Sequence, residues 1–393
     1  MPASPIRKLV PFADEAKRRG THVYHLNIGQ PDIESPDLAL ASLQRIERKV
    51  IAYSHSQGEP GYLDALQAYY NKIGISLDRS HINVTTGGSE AILFALLVTM
   101  NPGDEVLIPE PFYTNYNAFA RVAGVTVRPI TTRVEEGFHL PSSDDVEALI
   151  GPNTRTLMLC NPSNPTGTVY SKEEIDRMID LAVKHNLWLI CDEVYREFVF
   201  EPQEGAYQSL LEREDISDRV VVVDSISKRF SMCGARLGCV VSRNEDVMQA
   251  VLKLAQARLS SPQVEQWMAQ AAHAMPDDYL PSVLEEYRSR RDVVYEALQA
   301  MDGVTCRRPE GAFYTIPELP IDNAEHFAKW LLTDFSHEGE TVMVAPAAGF
   351  YATPGLGTKQ IRIAFVLEVN ALRKAMTLLQ RALHVYQDTV MKS

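Results

Sequence analysis

Residues 82–242 alternate short β-rich runs with amphipathic helical stretches, and this alternation narrows the fold more than any other feature of the chain. The runs are INVTT, EVLIPEP, VTVRPI, TLMLCNP, LWLICDE, VVVVDSIS and LGCVVS. Runs of this kind separated by helices predict an α/β fold with a mainly parallel seven-stranded sheet flanked by helices. SEAILFALLVTM and SKEEIDRMIDLAVKHN read as crossover helices, the second opened by a capping box of Ser171 and Glu174. A charged helix over 282–300 leads into strands read in GAFYTIP, TVMVAP and IRIAFV, then a last helix over 369–384, which together predict a smaller α+β domain. At the start, a helical stretch over 6–19 ends at Gly20 and precedes the extended HVYHLNIGQPDI. The predicted division is an N-terminal arm with part of the small domain (1–45), a large domain (46–281) and a C-terminal small domain (282–393). A chain of 393 residues is long enough for two lobes with a core each.

Charge and cysteine usage then remove several classes of function. Acidic residues outnumber basic ones, 51 against 38, and no basic stripe interrupts the pattern, so no nucleic-acid partner is expected. The five cysteines lack CxxC spacing, which predicts neither a metal site nor a disulfide framework. No stretch has the apolar length needed for export or for crossing a bilayer. The expected setting is the cytoplasm.

In open parallel sheets, ligands bind beyond the carboxyl ends of the strands, so the residues just after each run carry the search for chemistry. INVTT is followed by Gly87-Gly88-Ser89-Glu90 at a helix start, which offers backbone N–H groups to an anion such as a phosphate. EVLIPEP is followed by Tyr113, a ring able to stack on a flat group, and TLMLC by the turn NPSNPTG with the amide of Asn164. LWLIC ends in Asp192, with Tyr195 three residues on, and VVVVDSIS runs into Lys228, with Arg236 beyond it. A carboxylate at an apolar strand end needs a partner, and a protonated heteroaromatic nitrogen would serve. A lysine there suits Schiff-base formation. In the second lobe Arg362 lies inside the apolar strand IRIAF, where a lone guanidinium is costly unless it meets a carboxylate.

Taken singly, each residue has an ordinary reading as a turn, a packed ring, a cap, a solvated lysine or a salt bridge. Five strand ends carrying phosphate donors, a ring, an amide, a carboxylate and a lysine are not independent. Together they describe a pocket for a phosphorylated pyridine aldehyde.

These segments resemble the fold-type I, class I/II aminotransferases of the aspartate aminotransferase type. The resemblance runs from LNIGQPD to QIRIAF and is carried by SISKRFSMCGARLG, NPSNPTG, DEVYREF and YSHSQGEPGYLDAL. It implies pyridoxal 5'-phosphate as cofactor, bound by the large domain, and transfer of the amino group of an L-amino acid to a 2-oxo acid, with 2-oxoglutarate as a candidate acceptor. It implies that Lys228 forms the Schiff base, Asp192 pairs with the pyridine nitrogen, Tyr195 and Asn164 bond the ring oxygen, and Tyr113 stacks on the ring. The phosphate would meet Gly88, Ser89, Glu90, Ser225 and Arg236, with Tyr53 reaching it from a neighbouring subunit of a homodimer. Arg362, Asn164 and the backbone at Gly29 would clamp the substrate α-carboxylate. Ser89 stands where aspartate-using relatives often carry a lysine, which puts dicarboxylate specificity in doubt. Arg258 is a basic candidate for a distal carboxylate, although a solvated helix position is its more ordinary reading. A C–S β-lyase on the same scaffold is an alternative chemistry, and a non-catalytic regulator is a more distant one.

Overall fold

The computed structural model describes residues 7–201 and 208–392. The start of the expected arm, including Ile6 at the head of its helical stretch, lies outside the described residues. The arm begins with a 3-10 turn, Arg7–Leu9, and the helix Val10–Arg18, followed by strand β1 (His22–His25).

The large sheet is built from β2 (Ile82–Thr85), β3 (Glu105–Glu110), β4 (Thr126–Thr131), β5 (Thr154–Cys160), β6 (Trp188–Asp192), β7 (Val220–Ser225) and β8 (Gly238–Val241). All seven arise from the seven β-rich runs, in the spatial order β2-β8-β7-β6-β5-β3-β4. The sheet is parallel except for β8, which runs against both of its neighbours, β2 and β7. Strand alternation splits the apolar side chains cleanly between two cores. Leu157, Leu159, Leu189 and Val222 join one face, and Met158, Ile190, Val221 and Val223 join the other. Burial on both faces explains why the central runs are continuously apolar rather than alternating.

The remaining strands are β9 (Tyr314–Thr315), β10 (Glu340–Met343), β11 (Ala345–Pro346) and β12 (Ile361–Ala364). GAFYTIP thus contributes only two strand residues, and TVMVAP is divided between two separate sheets. β1 pairs in parallel with β10, His22 opposite Glu340, and β12 lies between β11 and β9. Three helices cover these strands: Tyr279–Gln299, Ala324–Thr333 and Val369–Thr389. Their core takes in Leu9, Ala13 and Leu26 from the N-terminal segment and Tyr195 and Phe198 from beyond β6, so the two lobes are packed continuously.

β5, β6 and β7 end at Cys160, Asp192 and Ser225 on one edge of the sheet. The turn after β1 and strand β12 lie across that edge, because Arg362 of β12 donates to the carbonyl of Asn27.

Candidate active site

A cavity of about 620 Å³ opens at this edge. Lys228, Asp192, Asn164 and Tyr195 line it from the large sheet, and Gly29 and Arg362 from the other side. Lys228 sits on a one-turn helix, Ile226–Arg229, capped by the Ser225 hydroxyl, which accepts from the N–H of Ser227 at 3.2 Å. The lysine reaches across the cavity: Nζ donates to the Gly29 carbonyl at 2.8 Å and lies 3.7 Å from Cys233 Sγ. Gly29 has to be glycine in this arrangement, since a Cβ there would fall 1.7 Å from the hydroxyl of Tyr314.

Asp192, 4% exposed, is the last residue of β6. Burial pushes its carboxyl up from 3.8 to about 6, against the lowering effect of its hydrogen bonds. Those bonds come from the Tyr116 hydroxyl, at 2.6 Å, and the N–H of Val194, at 3.4 Å. A carboxyl held this way gains from a cationic neighbour, which fits pairing with a protonated ring nitrogen. Tyr116 is a residue that the sequence reading missed. Its signal was its place three residues after Tyr113, one helical turn on, which sets the two rings 5.5 Å apart and nearly perpendicular.

The anion cradle is assembled from three elements. The helix Gly87–Thr99 presents its N-terminus, with Gly88 and Ser89 on the cavity wall. Gly87 has φ +76°, and a Cβ there would lie 2.4 Å from Arg236 Nη2, so glycine lets the guanidinium come up to the helix end. Arg236 is itself in the left-handed region, φ 52°, and its Nη1 donates to the Cys233 carbonyl at 2.9 Å. Ser225 also lines the cavity, its hydroxyl donating to the Leu237 carbonyl at 2.7 Å.

Two sequence-predicted residues stand apart from this cradle. Glu90 is absent from the cavity wall; its carboxylate accepts from the N–H of Thr86 and from Arg258 Nη1, both at 2.7 Å. Tyr53 is 80% exposed and also lies outside the cavity. Arg258 is neither a solvated helix residue nor a cavity cation. It is largely buried and ties Glu90 to the Ser261 hydroxyl at 2.8 Å and to the Ser56 carbonyl at 3.1 Å.

On the opposite wall Arg362 is 3% exposed and sandwiched between the rings of Tyr314 and Phe350, at 4.7 and 4.9 Å. Nη2 donates to the Asn27 carbonyl at 2.7 Å and Nη1 to Asn164 Oδ1 at 3.3 Å, while Nε has no partner. No carboxylate among the described residues pairs with it. Burial lowers its pKa, the signature of a desolvated cation without a counter-ion. Tyr195 and Tyr314 join hydroxyls at 2.9 Å beside it.

The donor set fits a phosphorylated pyridine aldehyde: N–H groups at a helix start and Arg236 would suit the phosphate, the buried Asp192 carboxylate a protonated ring nitrogen, and the Lys228 amine the aldehyde. The buried Arg362 Nε keeps an unused donor on the same cavity wall. No group of acidic, cysteine and histidine side chains among the described residues could hold a metal ion.

The family model described as aminotransferase class I and II matches residues 21–381. The aspartate aminotransferase of Rhizobium meliloti is 30% identical over 388 residues, covering 95% of this chain and 92% of that protein. The aspartate/prephenate aminotransferase of Cereibacter sphaeroides is 30% identical over 384 residues, covering 94% and 93%. Among solved structures, Thermus thermophilus aspartate aminotransferase with maleate superposes with a TM-score of 0.87 at 28% identity, covering 97% of each chain. An alanine aminotransferase from Pyrococcus furiosus gives 0.86 at 27% identity, covering 96% of each. The chain belongs to the class I and II aminotransferases of fold-type I and is a pyridoxal-phosphate-dependent aminotransferase.

Proposed function

We propose that Lys228 is the lysine that joins the cofactor aldehyde and then carries the substrate proton, with the amino group passing from an L-amino acid to a 2-oxo acid. The observation that carries this reading is the convergence of Lys228, Asp192, Asn164 and Arg362, from four separate elements, on one cavity. Bound pyridoxal phosphate supplies the sink for the electron pair left at the substrate Cα. Asp192 holds the proton on the ring nitrogen, and the Tyr116 hydroxyl fixes the orientation of its carboxylate. Gly88, Ser89, Ser225 and Arg236 take the phosphate, Tyr113 stacks on the ring, and Tyr195 and Asn164 bond the ring oxygen.

Arg362 and Asn164, with the backbone at Gly29, receive the α-carboxylate. This orients the Cα–H toward Lys228, whose amine already reaches the Gly29 carbonyl in this structure. A freed Lys228 then acts as general base at that position. Arg258 is engaged by Glu90 and is not the group for a second carboxylate. Residues 46–281 form the cofactor-binding lobe, residues 282–393 with the arm 1–45 form the lobe that carries the carboxylate clamp, and Tyr53 completes the phosphate site of the partner subunit in a cytoplasmic homodimer.

A half-reaction screen tests the reading: the cofactor-loaded protein is mixed with each L-amino acid, and loss of the visible band is followed. The expected result is amino-acid-dependent bleaching that is restored by a 2-oxo acid and abolished in Lys228→Ala. Bleaching of Lys228→Ala at the wild-type rate would overturn the assignment.

A further inference from the structure

Four cavity residues have an immediate sequence neighbour in a single buried ionic cluster. Asp192 is followed by Glu193, Tyr195 by Arg196 and Lys228 by Arg229, while Ser225 is preceded by Asp224. Glu193, Arg196, Asp224 and Arg229 are all buried. Asp224 is the hub. Its Oδ2 accepts from Arg229 Nη2 at 2.7 Å, the Tyr70 hydroxyl at 3.0 Å and Arg196 Nη1 at 3.3 Å, and its Oδ1 accepts from the N–H of Ser225 at 2.7 Å. Arg229 Nε donates to Glu197 at 2.7 Å, and its guanidinium lies 4.0 Å from the centre of the Tyr69 ring. Arg196 makes two further bonds to Glu193, at 2.7 and 2.9 Å. Burial pushes the Asp224 carboxyl up, but Arg229 and Arg196 outweigh it and hold the group below the usual carboxylate range.

The backbone geometry explains the division of labour. Successive side chains point to opposite sides of an extended strand, so β7 sends Ser225 toward the cavity and Asp224 away from it. On the one-turn helix that follows, Arg229 is rotated from Lys228 by about 100° and reaches back to Asp224. A four-residue helix has no intrinsic stability of its own, so its orientation depends on such anchors.

We propose that Asp224 and Arg229 are a positioning pair that sets the reach and the electrostatic surroundings of Lys228. This rests on Lys228 being the cofactor-bound lysine. The pair fixes the helix from below, and its opposed charges cancel locally beneath the amine. Removing either charge shifts the net charge of this buried cluster by one unit, negative when Arg229 is lost and positive when Asp224 is lost, so the two single variants change the field at Lys228 in opposite senses.

The experiment is a pH titration of the visible band of the cofactor-loaded protein in Arg229→Met and Asp224→Asn, with kcat and KM alongside. Arg229→Met removes a positive charge from the cluster, which favours the protonated form of the linkage and moves the titration up by about half a pH unit or more. Asp224→Asn removes a negative charge from the cluster and moves it down. In both, kcat falls about tenfold or more while KM for the amino acid changes less than about threefold, and Arg229→Lys restores most of the wild-type behaviour. A purely structural role predicts lower thermal stability with no opposed shifts, and equal or absent shifts overturn the proposal. If the charge variants do not fold, Tyr70→Phe, which removes one hydrogen bond to Asp224, decides: an upward shift supports the pair, and an unchanged titration overturns it. Borohydride reduction with peptide mass mapping separates the two claims, since a label on any lysine other than Lys228 defeats the underlying reading instead.

Discussion

Arg229 and Arg362 are both buried arginines beside the same cavity, yet they sit in opposite electrostatic situations. Arg229 meets two carboxylates, those of Asp224 and Glu197. Arg362 meets a carbonyl, an amide and two aromatic rings, and its Nε is unpaired. A guanidinium neutralised from within has its charge satisfied by the fold, whereas one left without a counter-ion keeps capacity for an anion, which is the role proposed above for Arg362. The residue type is the same, and the presence or absence of an internal carboxylate is what divides them.

The contrast breaks first at Asp224. Asp224→Ala removes a carboxylate shared by two buried guanidiniums and is expected to lower stability by about 3–5 kcal/mol in urea unfolding. Because the folded pKa of Asp224 lies below its unfolded value of 3.8, its stabilisation is present above that pH and is lost as pH falls through the folded value. The variant's stability deficit therefore shrinks only in strong acid. Arg362→Leu is the counterpart: kcat/KM for amino acids falls by about 4 kcal/mol, near a thousandfold, as a partner is removed from a desolvated charge pair. Its urea midpoint stays at or above wild type, because an uncompensated cation has left the interior.

Asp192 sharpens the distinction with a smaller effect. Its pKa is raised, so the folded cofactor-free protein binds this proton more tightly than the unfolded chain, and stability falls as pH rises from 3.8 through about 6. Asp192→Asn should stabilise the cofactor-free protein at pH 8 by about 2–3 kcal/mol in thermal melts while abolishing most turnover. The smallest effect is at His139, whose hydrogen bonds to Glu174 and Glu310 raise it from 6.5 to about 10. Its contribution is complete below 6.5 and fades as pH climbs toward 10. Screening at this partly exposed position limits the loss in His139→Gln to about 1 kcal/mol or less, measured at pH 6.

The centre of the sheet was legible because its strands are buried on both faces and therefore read as unbroken apolar runs, two of which, β6 and β7, close on polar residues that line the cavity. Asp192, Ser225 and Lys228 stood out for that reason. The reversed direction of β8 did not, since an apolar run carries no sign of its direction, and the short link from Lys228 to Gly238 was the only clue. Tyr116 and Glu90 show a second kind of gap. One acts through a side chain a helical turn from the residue that drew notice, and the other has its carboxylate claimed by Arg258, 168 residues away. The burial of Glu193, Arg196 and Arg229 left no mark in the sequence, because nothing local announces that a charge is buried when its partners come from other segments.

The pairing of β1 with β10 also has a consequence for timing. Chains emerge from the ribosome N-terminus first, and the large sheet has all its strands once Val241 has been made. At that stage the lysine, the acid and the anion cradle can form, but His22–His25 still lacks its partner strand, and the carbonyl that receives Lys228 hangs from an unanchored segment. Only when residues 340–364 have been synthesised do Gly29 and Arg362 come to rest over the cavity. The order of synthesis thus completes the strand ends that carry Asp192 and Lys228 before the strand that carries Arg362 exists.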